Sequence, residues 1–330
     1  MANRHRLYDW GLLLFSNMIW GSQFVVYKIV QRQSGPVFAA LFPITLATLL
    51  LAPIVLRERS KTKKGAAAGL DAAAGKQKMP HAFWHFVLIG VAGQVVTQTS
   101  VAWGMRYTLA SNAALLSLGL PIFTAIMAYL LLGERMTPVR WGSFALALAG
   151  VVECSGISWG QVNLSSSKYL LGNLLLFLAM NASAFYNTYS KRLMRVYSPL
   201  EVLFRSYCVV VVVVVMLPIA MFSEPRTFAE IPHFTPVVWL CFFILAFFQY
   251  FLAMIAFLSV LTRLEAMQVG LSNYLIPFFG LITAFVVLHE HLTISMILGG
   301  SLVLASTLLV TIYEGRPVKR PALGGSPVQK

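Results

Sequence analysis

Residues 110–138 read ASNAALLSLGLPIFTAIMAYLLLGERMTP. A related stretch begins 156 residues later, where residues 266–294 read AMQVGLSNYLIPFFGLITAFVVLHEHLTI. Aligned over residues 110–149, the two copies share 12 identities in 40 ungapped positions. Apolar segments align easily by chance, so the informative matches are Pro121 with Pro277 and Glu134 with Glu290. In both copies the glutamate follows the proline by the same number of residues. Internal self-similarity of this kind indicates a fold that is assembled from two related halves.

Long apolar stretches fill most of the chain, which is 58% hydrophobic and only 11% charged. A soluble globular domain carries about 25% charged residues. A membrane-spanning helix needs about 20 mainly apolar residues. In lipid, a strand outside a closed barrel leaves backbone groups unsatisfied, so each span is expected to be a helix. The ten predicted spans are 10–30, 36–56, 83–105, 108–132, 138–156, 170–190, 200–222, 236–261, 265–288 and 293–313.

Five spans in each half make the repeat an inverted one, because the second half must then enter the membrane from the opposite side. The sequence therefore predicts an all-α membrane protein with ten transmembrane helices, arranged as two inverted five-helix repeats. The first repeat is expected at 1–156, the second at 157–315, and a cytoplasmic tail at 316–330. Inverted repeats are typical of secondary transporters, whose substrate site lies near the midplane where the halves meet.

The positions of Lys and Arg predict the orientation in the membrane, because these residues favour cytoplasmic loops. With the N-terminus inside, the inner segments carry 19 Lys and Arg residues and the outer segments carry 5. We therefore predict a multi-pass protein of the cell (inner or plasma) membrane with both termini cytoplasmic. The basic loop 57–82, rich in Ala and Gly, is expected to be a flexible tether beside the anionic leaflet.

Other classes of protein are disfavoured by the remaining features of the chain. The formal net charge of +14 lies in short segments between apolar spans, so no nucleic-acid partner is expected. The three cysteines form no CxxC pair and the histidines lack HExxH spacing, so no metal site is expected. We find no cofactor motif and no clustered nucleophile and base, which argues against an enzyme. A non-transporting scaffold or receptor remains an alternative, although only the loop 57–82 and the tail could bind a partner.

Several motifs resemble a known superfamily. These are NMIWGSQFVVYKIV at 17–30, Ser-Gly-Pro at 34–36, Ser-Pro-Leu-Glu at 198–201, and the paired segments that run from Pro to Glu. In these motifs the chain resembles the drug/metabolite transporter superfamily, specifically its EamA-type ten-helix members. The resemblance implies a small-molecule substrate and, by analogy, export. Amino acids, sugars or nucleotide sugars, and cationic drugs remain alternative substrates, and transport is by facilitated diffusion or ion coupling.

Polar and aromatic side chains share single faces of several predicted spans. Gln94, Thr97 and Gln98 have i, i+3, i+4 spacing near mid-membrane. Polar groups are costly in lipid, so those that face the bundle interior are candidates for substrate contact. Interhelical hydrogen bonding is the alternative role. The candidate cavity residues are Trp20, Gln23, Gln94, Thr97, Gln98, Asn112, Asn181, Tyr186, Gln249, Tyr250, Gln268, Asn273 and Tyr274.

Glu134 and Glu290 each follow a paired proline by 13 residues, and the inverted repeat places them on opposite faces of the membrane. Two roles are open for them: capping the loop at a helix end, or gating the cavity on each side. No Asp or Glu falls in the middle of a predicted span, which weakens a mechanism with a central protonatable carboxylate. The expected assembly is a monomer or a weak homodimer in the lipid bilayer.

Overall fold

The computed structural model describes residues 2–67, 79–107, 110, 113–114, 117, 119–134, 137–154, 167–215, 224–288 and 294–315. Within these residues the chain forms ten long helices, which confirms the predicted all-helical fold. The helices are α1 (Ala2–Val30), α2 (Pro36–Ala67), α3 (Ala82–Tyr107), α4 (Gly119–Leu132), α5 (Pro138–Cys154), α6 (Ser167–Leu193), α7 (Pro199–Val215), α8 (Pro236–Leu261), α9 (266–288) and α10 (Ile294–Gly315). A short helix at Pro225–Glu230 and a 3₁₀ turn at Ile231–His233 precede α8.

Five of these helices are long and apolar enough to cross a membrane by length and composition, namely 7–30, 36–60, 82–107, 236–261 and 266–287. A sixth, Gly119–Leu132, is apolar but shorter within the described residues. The helix starts follow simple rules, since Pro36, Pro138, Pro199 and Pro236 each occupy a first position. Proline fits there because the first backbone N–H groups of a helix need no intrahelical acceptor.

Ion pairs and hydrogen bonds at the two ends of the bundle show that successive helices run in opposite directions. At one end, Asp9 near the start of α1 pairs with Arg263 after α8, and Lys191 at the end of α6 pairs with Glu134 after α4. At the other end, Lys28 near the end of α1 donates to the Met105 carbonyl near the end of α3. We call the end that holds Asp9 the inner face, since the charge count predicts that it is cytoplasmic.

The two halves pack on each other in a reciprocal way. Helix α1 of the first half contacts α8 and α9 of the second, and α6 contacts α3 and α4 of the first. Helix α2 contacts α8, α7 contacts α3, and α5 and α10 pack together. The first helix of each half therefore packs on the third and fourth helices of the other half, as two inverted repeats require.

Gly21 allows a contact at backbone distance between the two halves. A Cβ atom at this position of α1 would lie 2.6 Å from the Ile276 carbonyl oxygen of α9 and 2.8 Å from the Gly280 nitrogen. Small residues let membrane helices approach at backbone distance. Gly21 therefore permits a short distance between α1 and α9, next to Trp20 on the face of α1 that lines the cavity.

Two π-helical segments interrupt the third helix of each half, Ile89–Val95 in α3 and Ile244–Ala253 in α8. The repeat offset of 156 residues brings them into register. Such segments are rare and are often found at functional sites. Both coincide with the stretches that carry Gln94 and the Gln249–Tyr250 pair.

The predicted loop 57–82 needs correction, because α2 continues to Ala67 and its first eleven residues are helical. This extension, RERSKTKKGAA, is rich in Arg, Lys, Glu and Ala, which are good helix formers. Arg59 anchors it through an ion pair of 3.2 Å with Glu201 of α7. Residues 68–78 lie outside the described part of the chain.

The predicted orientation can be tested by labelling single cysteines. With Cys154, Cys208 and Cys241 replaced by serine, Leu70→Cys is expected to react with a membrane-impermeant maleimide only from the cytoplasmic side. Ser165→Cys should react only from the opposite side, because the charge count places 57–82 inside and 157–169 outside. The cysteine-free parent is the control. Reaction of both positions from one side would contradict the arrangement of five helices in each half.

Candidate functional site

A cavity of about 80 Å³ lies where the two halves meet. Its walls come from α1, α3, α4 and Ser117 just before α4 in the first half, and from the counterpart helices α6, α8 and α9 in the second. The lining residues are Trp20, Gln23, Gln94, Thr97, Gln98, Val101, Ser117, Leu120, Met180, Ser183, Tyr186, Asn187, Gln249, Tyr250, Met254 and Ile276. Sites for small-molecule ligands measure about 300–1,000 Å³. The cavity is therefore smaller than a typical small-molecule site.

The lining residues occupy equivalent positions of the two repeats. Offsets of 156 residues pair Gln94 with Tyr250 and Leu120 with Ile276, and an offset of 163 residues pairs Gln23 with Tyr186. Both members of each pair line the cavity. A site built from matching positions is expected when inverted repeats meet around a midplane cavity.

A chain of hydrogen bonds runs along the cavity and joins the halves. The Tyr250 hydroxyl donates to Gln98 Oε1 at 2.8 Å, and Gln98 Nε2 donates to Gln94 Oε1 at 3.2 Å. The Tyr27 hydroxyl lies 2.7 Å from the Tyr250 hydroxyl. Because the single Tyr250 hydroxyl hydrogen is already directed at Gln98, Tyr27 must be the donor in that contact. Gln98 therefore couples α3 to both α8 and α1.

Further polar contacts place the remaining amide and hydroxyl groups. Gln249 Nε2 of α8 donates to Gln23 Oε1 of α1, which is a second link between the halves. The Tyr186 hydroxyl and Ser206 Oγ of α7 are 3.1 Å apart, and Thr97 Oγ1 donates to the Ala179 carbonyl. These side chains therefore line the cavity and also act as interhelical hydrogen-bonding groups. The two roles considered for them are compatible.

None of the lining residues within the described part of the chain is charged. The wall presents amides, hydroxyls, the Trp20 ring and aliphatic surface. Trp20 is held by Phe257, with ring centroids 4.8 Å apart. Such a wall can accept and donate hydrogen bonds and can cover an apolar group, but it offers no fixed charge to an ionic one. Among the described residues, no group of three His, Cys, Asp or Glu side chains could hold a metal ion.

The other candidates lie away from the cavity or outside the described residues. Asn181 Nδ2 donates to the Phe177 carbonyl of its own helix. Gln268 Oε1 accepts from the Glu265 backbone N–H in a capping box at the start of α9. Asn273 and Tyr274 are fully buried in α9 but do not line the cavity. Asn112 and Glu290 fall outside the described residues.

Glu134 bonds across the two halves at the inner face. Its Oε1 accepts from Lys191 Nζ at 2.9 Å and from the Ala266 backbone N–H at 2.8 Å, and its Oε2 accepts from the Met267 N–H at 2.9 Å. A carboxylate at the start of a helix accepts hydrogen bonds from N–H groups that have no acceptor within the helix. Its negative charge also interacts favourably with the positive end of the helix dipole. Glu134 thus caps a helix of the opposite half, rather than its own following loop.

Glu224 makes the corresponding contact at the outer face, and sequence reasoning missed it. Its Oε1 accepts from the Val37 N–H at 2.8 Å and its Oε2 from the Phe38 N–H at 3.2 Å, at the start of α2. The Gly35 N–H donates to Thr227 Oγ1 at 2.9 Å beside it. A second-half carboxylate therefore caps a first-half helix. We call the Glu134 contacts the inner latch and the Glu224 contacts the outer latch.

Two further ion pairs surround the inner latch. Arg140, at the start of α5 and almost fully buried, pairs with Glu265. Arg263 pairs with Asp9, and its Nε is 2.8 Å from Asp9 Oδ1. Each pair joins one half to the other, so the inner face is held by charged groups from α1, α4, α5, α6 and the turn before α9.

Sequence reasoning also missed Asn187, Ser117 and Ser183 as lining residues. The repeat contains a signal for one of them, because Ser183 is equivalent to Trp20. Met180, Ser183 and Asn187 are spaced i, i+3, i+7 and share a face of α6. Asn181 does not belong to that face, which explains why it points elsewhere.

Comparison with known proteins finds the same family match in each half of the chain. The model of the EamA-like transporter family matches residues 10–155 and again residues 170–312. A protein of Archaeoglobus fulgidus called "Uncharacterized transporter" is 25% identical over 303 residues, covering 92% of this chain and 97% of its own. The "Uncharacterized transporter YcxC" of Bacillus subtilis is 26% identical over 233 residues, covering 69% of this chain and 72% of its own.

One relative has a name that includes a substrate. The "Probable terminal-alkyne amino-acid exporter" of Streptantibioticus cattleyicolor is 26% identical over 226 residues, covering 68% of this chain and 71% of that protein. A solved crystal structure superposes with a TM-score of 0.64 at 17% identity, covering 92% of this chain and 96% of that one. A likeness at that identity concerns the fold alone.

Proposed function

Since the chain belongs to the EamA-like transporter family, we propose that it is a secondary transporter, which moves small organic metabolites by alternating access around the central cavity. The observation that carries this proposal is the cavity wall, built from equivalent positions of α1 and α6, of α3 and α8, and of α4 and α9. Two half-structures that face one cavity in opposite directions can open it to either side in turn.

The inner and outer latches are contacts between the halves that such a cycle must break and form again. In the inward-open state of this cycle, α9 separates from the Glu134 carboxylate, which here holds the first N–H groups of α9. In an outward-open state, Glu224 must release the start of α2. A ligand that binds one state better than the other shifts the population toward it.

The chemistry of the cavity favours an uncharged or zwitterionic, amphipathic metabolite. The amide groups of Gln94, Gln98 and Asn187 can bind polar atoms, while Trp20 and Met254 can cover an apolar side chain. Nucleotide sugars fit less well, because a diphosphate needs cationic partners and the described lining residues include none. An amino acid fits the wall, and the exporter from S. cattleyicolor favours that class and the direction of export.

Reconstitution into proteoliposomes tests the proposal. Uptake and efflux of a panel of radiolabelled neutral amino acids, sugars and nucleotide sugars would be followed with and without an imposed pH gradient. The expected result is saturable flux of at least one uncharged or zwitterionic solute. Stimulation by the pH gradient would indicate proton coupling, and flux without it would indicate facilitated diffusion. If no solute moved faster than in liposomes that lack the protein, the scaffold or receptor alternative would be favoured.

Substitution of Trp20 tests the apolar part of the wall. Trp20→Leu removes the ring that packs on Phe257 while keeping an apolar side chain. If the ring also covers the solute, the lost contact is of the order of an aromatic contact, about 0.5–1.5 kcal/mol beyond its buried area. We expect the KM of the identified solute to rise roughly threefold to tenfold, with little change in maximal rate. Asn181→Ala, in α6 but outside the cavity wall, is the control. An unchanged KM for Trp20→Leu would exclude contact between that ring and the solute.

A further inference from the structure

A groove of about 430 Å³ runs along the flank of the bundle between α3 and α7, apart from the central cavity. Its lining residues are Phe83, Phe86, Val87, Val91, Arg205, Cys208, Val209 and Val212. Phe83 and Val212 are exposed, so the groove opens sideways toward the hydrocarbon of the bilayer. It is therefore a recess that faces lipid.

The helix contact behind the groove explains why a recess forms there. A Cβ atom at Gly90 of α3 would lie 2.5 Å from Val209 Cβ and 3.2 Å from the Ser206 carbonyl oxygen of α7. The two helices therefore touch at Gly90, where the side chain is missing, while the larger side chains on either side of this contact stand apart. The groove lies beside this point.

The groove has a charged end and an apolar end. Both helices start at the inner face, so Arg205 lies about 9 Å along α7 and Val212 about 20 Å along it, at 1.5 Å per residue. The walls between them are aliphatic and aromatic. The charged end therefore lies at the depth of the inner headgroups and the apolar end near the midplane.

The charged end carries an excess of positive charge. Arg205 and Arg59 both contact Glu201 Oε1, at 2.5 Å and 3.2 Å, so two guanidinium groups share one carboxylate. The Arg205 guanidinium also lies over the Phe86 ring, 4.8 Å from its centroid. Arg59 Nε is buried and has no hydrogen-bond acceptor within the described part of the chain. The Glu58 carboxylate at this end accepts a hydrogen bond from Ser198. An anionic group here would meet two guanidinium groups that share the Glu201 carboxylate, and one unused N–H donor.

We propose that this groove binds one anionic phospholipid of the inner leaflet, with an acyl chain along the α3–α7 recess and the phosphate at Arg59 and Arg205. Basic pockets between transmembrane helices on the cytoplasmic side are suited to anionic headgroups. Guanidinium groups bind phosphate oxygens in paired, charge-assisted hydrogen bonds. The bound lipid bridges α2, α3 and α7, and it stabilises the helical extension of α2 that carries Arg59.

Native mass spectrometry and thermal unfolding of the full chain test the proposal, with phosphatidylglycerol and phosphatidylcholine of identical acyl chains as probes. We expect one phosphatidylglycerol to remain bound and to raise the Tm, and phosphatidylcholine to do neither. Arg59→Gln and Arg205→Gln should each weaken phosphatidylglycerol binding by about tenfold, the loss of one charge-assisted contact. Arg195→Gln, which removes an exposed inner-face arginine outside the groove, is the matched control.

A second variant tests the apolar end without altering charge. Val212→Trp fills the recess from the lipid side, so it should displace the acyl chain and weaken phosphatidylglycerol binding by about tenfold as well. Equal retention of the two lipids by the unmodified protein would overturn the proposal. Retention by Arg205→Gln equal to that of Arg195→Gln, or by Val212→Trp equal to that of the unmodified protein, would do so too.

Discussion

Replacing Glu134 with glutamine is expected to move the resting population at least about tenfold toward the conformation open to the inner face. The Glu134 carboxylate accepts three hydrogen bonds, one from Lys191 and two from backbone N–H groups of α9. Hydrogen bonds to charged groups contribute about 1.5–3 kcal/mol each, and glutamine keeps a single acceptor oxygen and no charge. If these contacts break when the inner face opens, as we propose, their loss should destabilise only the closed state.

The measurement is the accessibility of a cavity cysteine in each variant. Ser117→Cys or Ser183→Cys, in a background that lacks the native cysteines, is modified with an impermeant reagent from either side. Glu134→Gln should increase modification from the inner side, and Glu224→Gln should increase it from the outer side because it weakens the outer latch. Glu153→Gln, an exposed acid on α5, is the control. Shifts in the same direction for Glu134→Gln and Glu224→Gln would contradict the assignment of the latches to opposite faces.

Gln98→Ala is expected to reduce transport by roughly tenfold to a hundredfold, corresponding to one or two lost hydrogen bonds of about 1.4 kcal/mol each. Gln98 connects Tyr250 to Gln94 and faces the cavity, so its loss removes an amide from the wall and disconnects the chain of hydrogen bonds between the halves. Tyr250 keeps its contact with Tyr27, so the folded state should lose only a few kcal/mol.

Flux and thermal stability must therefore be measured on the same preparations. For Gln98→Ala we expect a large loss of flux with a Tm lower by no more than about 10 °C, since about 1 kcal/mol lowers the Tm of a domain of roughly 150–250 residues by about 2–4 °C. Asn181→Ala, which breaks a hydrogen bond within one helix outside the cavity, should transport normally. Normal flux through Gln98→Ala with a lowered Tm would show that this side chain only holds the helices together.

The sequence predicted the number, type and inversion of the helices because those properties follow from span length and from the repeat. Its predictions were weaker where a contact depends on residues far apart in the chain. Glu134 has a recognisable place in the repeat, but its acceptor role toward Ala266 and Met267 depends on how the halves dock. Glu224 lies beyond the predicted seventh span, and nothing in its sequence context points to the start of α2.

The candidate cavity residues show a similar limit. Asn181 and Asn187 are both amides in α6, and hydropathy alone cannot rank them. They are six residues apart, which at about 100° per residue puts them roughly 120° apart around the helix. Only the position of α6 beside α3 and α4 decides that Asn187 lines the cavity. The π segments were also beyond prediction, because they differ from α-helix in hydrogen-bond register and not in composition.

The small volume of the central cavity has a consequence for how solutes are selected. A solute can bind only after the wall has moved, so its apparent dissociation constant is the intrinsic one divided by the fraction of molecules already open. That fraction is the same for every solute in a panel. The cavity side chains therefore set the rank order of solutes, and the latches set the concentration range in which all of them are moved. Two relatives with identical cavities and different latches would share a preference and differ in working concentration.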